Sequence, residues 1–290
     1  MKNIYIKLAR AVVAVKGEDA QKFLQGLITN DINKVTSTSA IYTCLLTPQG
    51  KFLYDFFICE FDGSLTLDCN LLSAEDLIKR LSMYKLRSKV ELVDLTADYD
   101  VHVLLGDNSF STLNLKNEAG TATTLEAGVA YTDPRTSNMF IRTILKKDKA
   151  ENFLKENGFG PGKLEDYDQL RIDNLVADGD NDLEKDKAFP LQYRMEELNA
   201  IDFKKGCYVG QEVTARSKYR GVVRKSTFRV KASSTLPEAG TAIMLDGKQI
   251  GELRSHVGDV GIALLDIETA EKTKQDNVFP VIRDISISVL

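Results

Sequence analysis

The chain has only two histidines, His102 and His256, in 290 residues. No His-x-x-x-His pair or Ser-His-Asp arrangement can be drawn from local spacing, so neither a histidine-built metal centre nor a hydrolase triad is expected, and no resident metal is assigned. His102 lies in the strand-like run Tyr99 to Leu105, where a structural role fits it. Cysteine is nearly as scarce. Cys44, Cys59, Cys69 and Cys207 show no Cys-x-x-Cys spacing, which argues against a zinc knuckle and a disulfide framework. The first three sit in apolar runs and read as core. No apolar stretch approaches the roughly 20 residues of a membrane helix, and Met1 to Lys7 is interrupted by polar residues too soon for a secretory leader. A cytoplasmic protein without a membrane partner is expected. With 43% apolar residues and a net charge of −4, the chain can build large cores, in two or three structural units.

Periodicity supplies the rest of the outline. A strand over Val12 to Val15 precedes a helix whose Ala20, Phe23, Leu24, Leu27 and Ile28 form one apolar stripe. Strands over Ile41 to Leu46, Phe52 to Phe61 and Ser64 to Asp68 are joined by the turn sequences Pro48-Gln49-Gly50-Lys51 and Asp62-Gly63, as in an antiparallel meander. Ser73 opens a second amphipathic helix, with strands around Val90 to Leu95 and Val101 to Leu105 after it. Helices over Asp148 to Asn157 and Leu164 to Leu175 follow. Asp178 to Asp186 resembles a calcium loop, but Leu183 replaces the turn glycine and Phe189 the bidentate glutamate, so a solvated acidic loop is expected. Beyond Arg216, β-branched runs and tight turns predict a small β-barrel with little helix. The fold class is α+β, in two parts: residues 1–215, layered sheets and helices in two subdomains, and residues 216–290, the barrel.

The stretch with most chemistry is Lys204 to Glu212. Cys207 stands between Gly206 and Gly210 and behind two lysines. Nearby ammonium groups and a helix N-terminus lower a thiol's pKa, and a short helix is predicted from Gln211. A reactive or ligand-contacting thiol is one reading; a buried structural cysteine in a glycine turn is the other. From Lys204 to Lys231, nine basic residues meet one acidic residue, Glu212. That strip suits an anion, or is a solvated face.

Lys205-Gly206-Cys207-Tyr208-x-Gly210-Gln211-Glu212 resembles the signature of the YgfZ-type folate-binding proteins, which include mitochondrial iron–sulfur assembly factors and are related to the glycine-cleavage T-protein. Leu24 to Asp31, Leu45 to Lys51, Asp133-Pro134-Arg135, Gln169-Leu170-Arg171 and Phe189-Pro190-Leu191 extend the resemblance over most of the chain. It implies a T-protein-like α+β region with a C-terminal barrel, tetrahydrofolate or a one-carbon derivative as cofactor, and transient iron–sulfur assembly proteins or client enzymes as partners. No nucleic-acid partner is expected. The implied function is support of cluster assembly or repair, with a folate-dependent one-carbon transferase or a folate-linked RNA-modification factor as alternatives. Implied folate contacts are Arg171, Asn30, Asp31 and Tyr54. Arg171 could instead pair with Asp168 or Asp173, and Asn30-Asp31 could be a turn. Tyr54 stands where T-protein relatives carry an acid, and a phenol with an ordinary pKa of about 10 cannot replace that carboxylate at neutral pH. Aminomethyl transfer is therefore not expected, and whether the chain is an enzyme stays open. One cysteine cannot complete a cluster that takes four protein ligands, so a cluster role must be shared with a partner, transient or redox in nature.

Overall fold

The computed structural model describes residues 2–137, 139–221 and 223–290. They form two compact units. The first unit comprises the chain up to Pro48, Leu53–Leu164 and Glu196–Gln211. It contains a five-stranded sheet in the order Ile41–Leu46, Phe52–Phe61, Ser64–Asn70, Arg10–Lys16 and Glu91–Asp94. Its six-stranded sheet runs in the order Gly160–Pro161, Ile4–Leu8, Tyr99–Leu105, Ile141–Lys146, Gly128–Thr132 and Ala122–Leu125. The hairpin after Phe61 turns at Asp62 and Gly63 with φ of 51° and 68°. Both central residues are left-handed, as a two-residue type I′ turn requires.

Helix α1 (Ala20–Gln25) and helix α2 (Ala74–Lys85) cover the outer face of the five-stranded sheet. Phe23, Leu24, Leu27, Leu77 and Leu81 pack there on Val13, Val15, Phe56, Ile58 and Leu67. Helix α3 (Lys147–Glu156) covers the six-stranded sheet through Ala150 and Leu154, against Leu104, Ile141 and Leu145. The two sheets face each other across a buried charged layer. Arg10 donates to Asp68 at 2.6 Å and Arg142 donates to the same carboxylate at 2.7 Å, with the Tyr131 hydroxyl at 3.0 Å. Arg142 lies 4.0 Å from the Phe57 ring centre. Burial alone would raise the Asp68 carboxyl, but the two guanidinium groups outweigh it and hold the pKa below the ordinary value.

The second unit comprises Gln49–Phe52, Glu165–Met195 and Glu212–Leu290. Its six strands close into a barrel in the order Lys225–Ala232, Val260–Asp266, Lys248–Val257, Ala242–Leu245, Val281–Ile282 and Ile285–Val289. Val230, Ile243, Leu253, Leu265 and Ile287 fill it. This is the α+β fold with a C-terminal barrel that the sequence predicts. Three details differ. Helix α4 (Leu164–Asp173) and the segment after it group with the barrel, not with the rest of 1–215. The acidic loop is anchored there: Asp182 is wholly buried and accepts from the Ser255 amide at 2.7 Å and the Ser255 hydroxyl at 2.6 Å. The expected solvated loop holds at Asp180, Asn181, Glu184, Lys185 and Asp186 and fails at Asp182, because a carboxylate's burial depends on donors 73 residues away. The barrel also carries a ten-residue helix, Ile267–Asp276, capped by Asp266 through the Thr269 amide at 3.0 Å. Its inner face is built on the small residues Ala270 and Thr273, which leave no apolar stripe to read.

Candidate functional site

In the first unit the segment from Asn199 to Val209 is tied to the turn that follows α1. Thr29 donates its hydroxyl to the Ala200 carbonyl at 2.7 Å, and the Asp202 amide donates to the Thr29 carbonyl at 3.0 Å. Asn30 donates its side-chain amide to the Tyr42 and Asn199 carbonyls at 2.9 and 2.7 Å. Asp202 pairs with Lys34 at 2.7 Å. Burial pushes its carboxyl up, but Lys34 and the Lys204 amide prevail and leave the pKa below the ordinary value.

Lys205 completes the anchor. It is 8% exposed, and its ammonium donates to the carbonyls of Gln25, Ile28 and Asn30 at 2.8, 2.6 and 2.8 Å. An ammonium has three donors, so all are used, one on the last carbonyl of α1 and two on carbonyls of the segment that follows it. Desolvation lowers its pKa to about 8. Tyr208, next inward, is buried with its ring 5.2 Å from the Lys205 nitrogen, and burial raises its phenol. Val209 packs on the core under α1. Gly206 and Cys207 between them are exposed. The loop therefore turns Lys205 and Tyr208 in and Cys207 out. Cys44, Cys59 and Cys69 are buried, and burial raises the Cys44 and Cys59 thiols.

The expectation that both lysines act on the sulfur must be corrected, because Lys205 is committed to backbone carbonyls. Of the two glycines, only Gly210 needs to be one, at φ +86°; Gly206 is not in the left-handed region. Helix α5 (Gln211–Tyr219) starts four residues after Cys207, and Glu212 pairs with Arg216 at 2.6 Å on its exposed surface.

The residues expected to touch folate are engaged within the fold. Arg171 is 3% exposed and pairs with Asp168 at 2.7 Å and Asp182 at 3.2 Å, so the ion-pair alternative is the contact present. Asp31 caps the short turn Ile32–Lys34 through the Asn33 amide at 3.0 Å. Tyr54 is part of the core under α1, while Asp55, on the next position of the strand, accepts from the Tyr42 hydroxyl at 2.7 Å. Sequence alone did not mark Asp202, Thr29 and Asn199 as anchors, nor the Arg10–Asp68–Arg142 cluster. For the cluster a signal exists: single charges inside otherwise apolar strands. Among the described residues no group of three or more His, Cys, Asp or Glu gathers as metal ligands, and no helix is long and apolar enough to cross a membrane.

Residues 10–131 match the GCVT N-terminal domain family, and residues 224–283 match the CAF17 C-terminal β-barrel domain family. The fold is shared with the glycine cleavage system aminomethyltransferase T of Bartonella henselae, at a TM-score of 0.79 over 99% of this chain and 85% of that one, with 16% identity. The class is thus a T-protein-like region with a CAF17-type barrel. The chain is 33% identical to the mitochondrial iron–sulfur cluster assembly factor IBA57 of Mus musculus over 285 residues, which cover 90% of this chain and 76% of that protein. The Homo sapiens IBA57 is also 33% identical, over 88% of this chain and 75% of its own. The chain belongs to the IBA57 family of iron–sulfur cluster assembly factors. Of the resemblance drawn from the motif, these relatives support the T-protein kinship and the assembly-factor branch; neither carries the YgfZ name. The cytoplasmic expectation is overturned, since these relatives are mitochondrial. Composition could not separate the two, because both compartments keep thiols reduced and ask for the same surface.

Proposed function

We propose that this protein assists iron–sulfur cluster assembly by offering the Cys207 thiolate as a ligand to a cluster held jointly with a partner protein. One observation carries the reading: of four cysteines, Cys207 alone is exposed, on a loop held before it by the buried hydrogen bonds of Lys205 and after it by the buried Tyr208 ring. A soft thiolate suits iron–sulfur clusters. In the transfer step the Cys207 sulfur bonds to iron as a partner's ligand leaves, and the thiol proton passes to solvent. Iron–sulfur assembly proteins or client enzymes are the partners this requires.

Folate enters through the fold alone. The side chains expected to hold it are already engaged, since Arg171 is paired with two resident carboxylates, Tyr54 is core, and Asn30 and Asp31 hold backbone groups. A polar cavity of about 290 Å³ beside Asn30, Lys34 and Tyr42 could take one end of tetrahydrofolate or a one-carbon derivative. No step is routed through it, and no aminomethyl transfer is assigned.

Limiting iodoacetamide should alkylate Cys207 well ahead of the other three. In cells lacking the protein, Cys207→Ser should fold but fail to restore iron–sulfur enzyme activity. Full rescue by Cys207→Ser would make the thiol structural and end the proposal.

A further inference from the structure

The end of α1, which supplies one of the three Lys205 carbonyls, also walls an open groove of about 860 Å³ in the first unit. Phe23, Leu27 and Tyr84 give it an apolar floor, and Gly26 and Leu86 flank it. Two of these residues, the C-caps of α1 and α2, are exposed. Leu86 holds φ +44° and ψ −109° with its side chain 90% exposed. This backbone is one that leucine disfavours, and such strain gathers at functional surfaces. Gly26 adopts an ordinary helical φ of −78° and ψ of −10°. Beyond its chain neighbours, a β-carbon there would meet nothing nearer than the Phe23 carbonyl oxygen at 3.9 Å. Neither backbone nor packing asks for glycine, and the missing side chain keeps the groove open.

The surroundings are basic. Lys22 and Arg87 line the groove, Arg80 and Lys85 belong to α2, and none of the four has a carboxylate partner among the described residues. Asp19 is the acid that lines the groove, and it accepts from the Lys89 amide at 2.8 Å. In a chain of net charge −4 this is a local excess of positive charge. The groove is also linked to the thiol loop through the end of α1. Lys205, two residues before Cys207, is bonded to the carbonyl of Gln25, which precedes Gly26. From that carbonyl to Cys207 run one hydrogen bond, a lysine side chain of about 6 Å and two residues of chain that reach at most about 7 Å, a total of about 16 Å and less than the roughly 30 Å width of a small domain, so one domain seated on the groove can reach the sulfur.

We propose that the groove docks the iron–sulfur carrier protein whose cluster meets Cys207, the carrier inserting an apolar side chain ringed by carboxylates. This rests on the reading of Cys207 above. The test uses a purified iron–sulfur carrier protein, with and without its cluster, titrated calorimetrically into the full chain and its variants, each first shown by circular dichroism to melt as the native protein does. Gly26→Trp fills the groove, Leu86→Gly removes the exposed side chain and relieves its backbone, and Lys22→Glu with Arg87→Glu reverses the rim. Gly26→Trp and Leu86→Gly should each weaken binding of the cluster-free carrier by about tenfold or more, as loss of a central contact does. The rim reversal should weaken it at low salt and flatten its salt dependence. Cys207→Ser should bind the cluster-free carrier normally and lose only the added affinity for the loaded one. If Gly26→Trp and Leu86→Gly both bind like the native protein, or if the groove is instead closed by a second copy, seen as a dimer that Gly26→Trp makes monomeric, the docking proposal falls. If those variants weaken binding while Cys207→Ser handles the loaded carrier normally, the groove stands and the thiol reading falls alone.

Discussion

Lys205→Met tests whether the thiol loop is held as described. Methionine keeps most of the length and apolar stem of lysine but removes every donor to the Gln25, Ile28 and Asn30 carbonyls. Hydrogen bonds to a charged donor are worth about 1.5–3 kcal/mol each, so about 5–9 kcal/mol is lost for three. Part is offset: an ammonium whose pKa falls to about 8 by desolvation carries a cost of roughly 3 kcal/mol at neutral pH, which methionine does not. A net loss of about 2–6 kcal/mol is expected. The pH dependence supplies a second readout. The folded pKa of about 8 lies below the ordinary 10.5, so between these values the unfolded chain binds more protons and stability rises with pH. Urea unfolding at pH 7, 8, 9 and 10 should show that rise in the native protein and its absence in Lys205→Met. A variant within about 0.5 kcal/mol of native at pH 7, with the rise intact, would refute the carbonyl cradle.

Two further outcomes follow from buried charges. His102 is buried and desolvation lowers its pKa to about 4 from 6.5, so its contribution is full above pH 6.5 and lost as pH falls toward 4, by up to about 3 kcal/mol; acid titration of His102→Phe, followed by circular dichroism, should show unfolding displaced to lower pH. Arg171→Ala should destabilise the protein by about 3–5 kcal/mol, since it strands the buried Asp182, and thermal melts of Arg171→Ala beside Asp182→Asn should show losses that do not add.

Local order was legible from the chain. The strand Phe52–Phe61 and the Asp62-Gly63 hairpin form where they were expected, because alternation and turn chemistry act over a few neighbouring residues. The Lys205 to Glu212 pattern set Cys207 apart from the other three cysteines, and in the fold it is the exposed one. What tertiary structure alone decided was which polar groups became partners. Lys205 turned from the sulfur to a carbonyl 177 residues away, Arg171 took Asp182 in place of a ligand, and Asp182 was buried by Ser255. A charge settles on whichever partner the folded chain brings within about 3 Å in a site that excludes water, and spacing along the sequence carries no record of that distance.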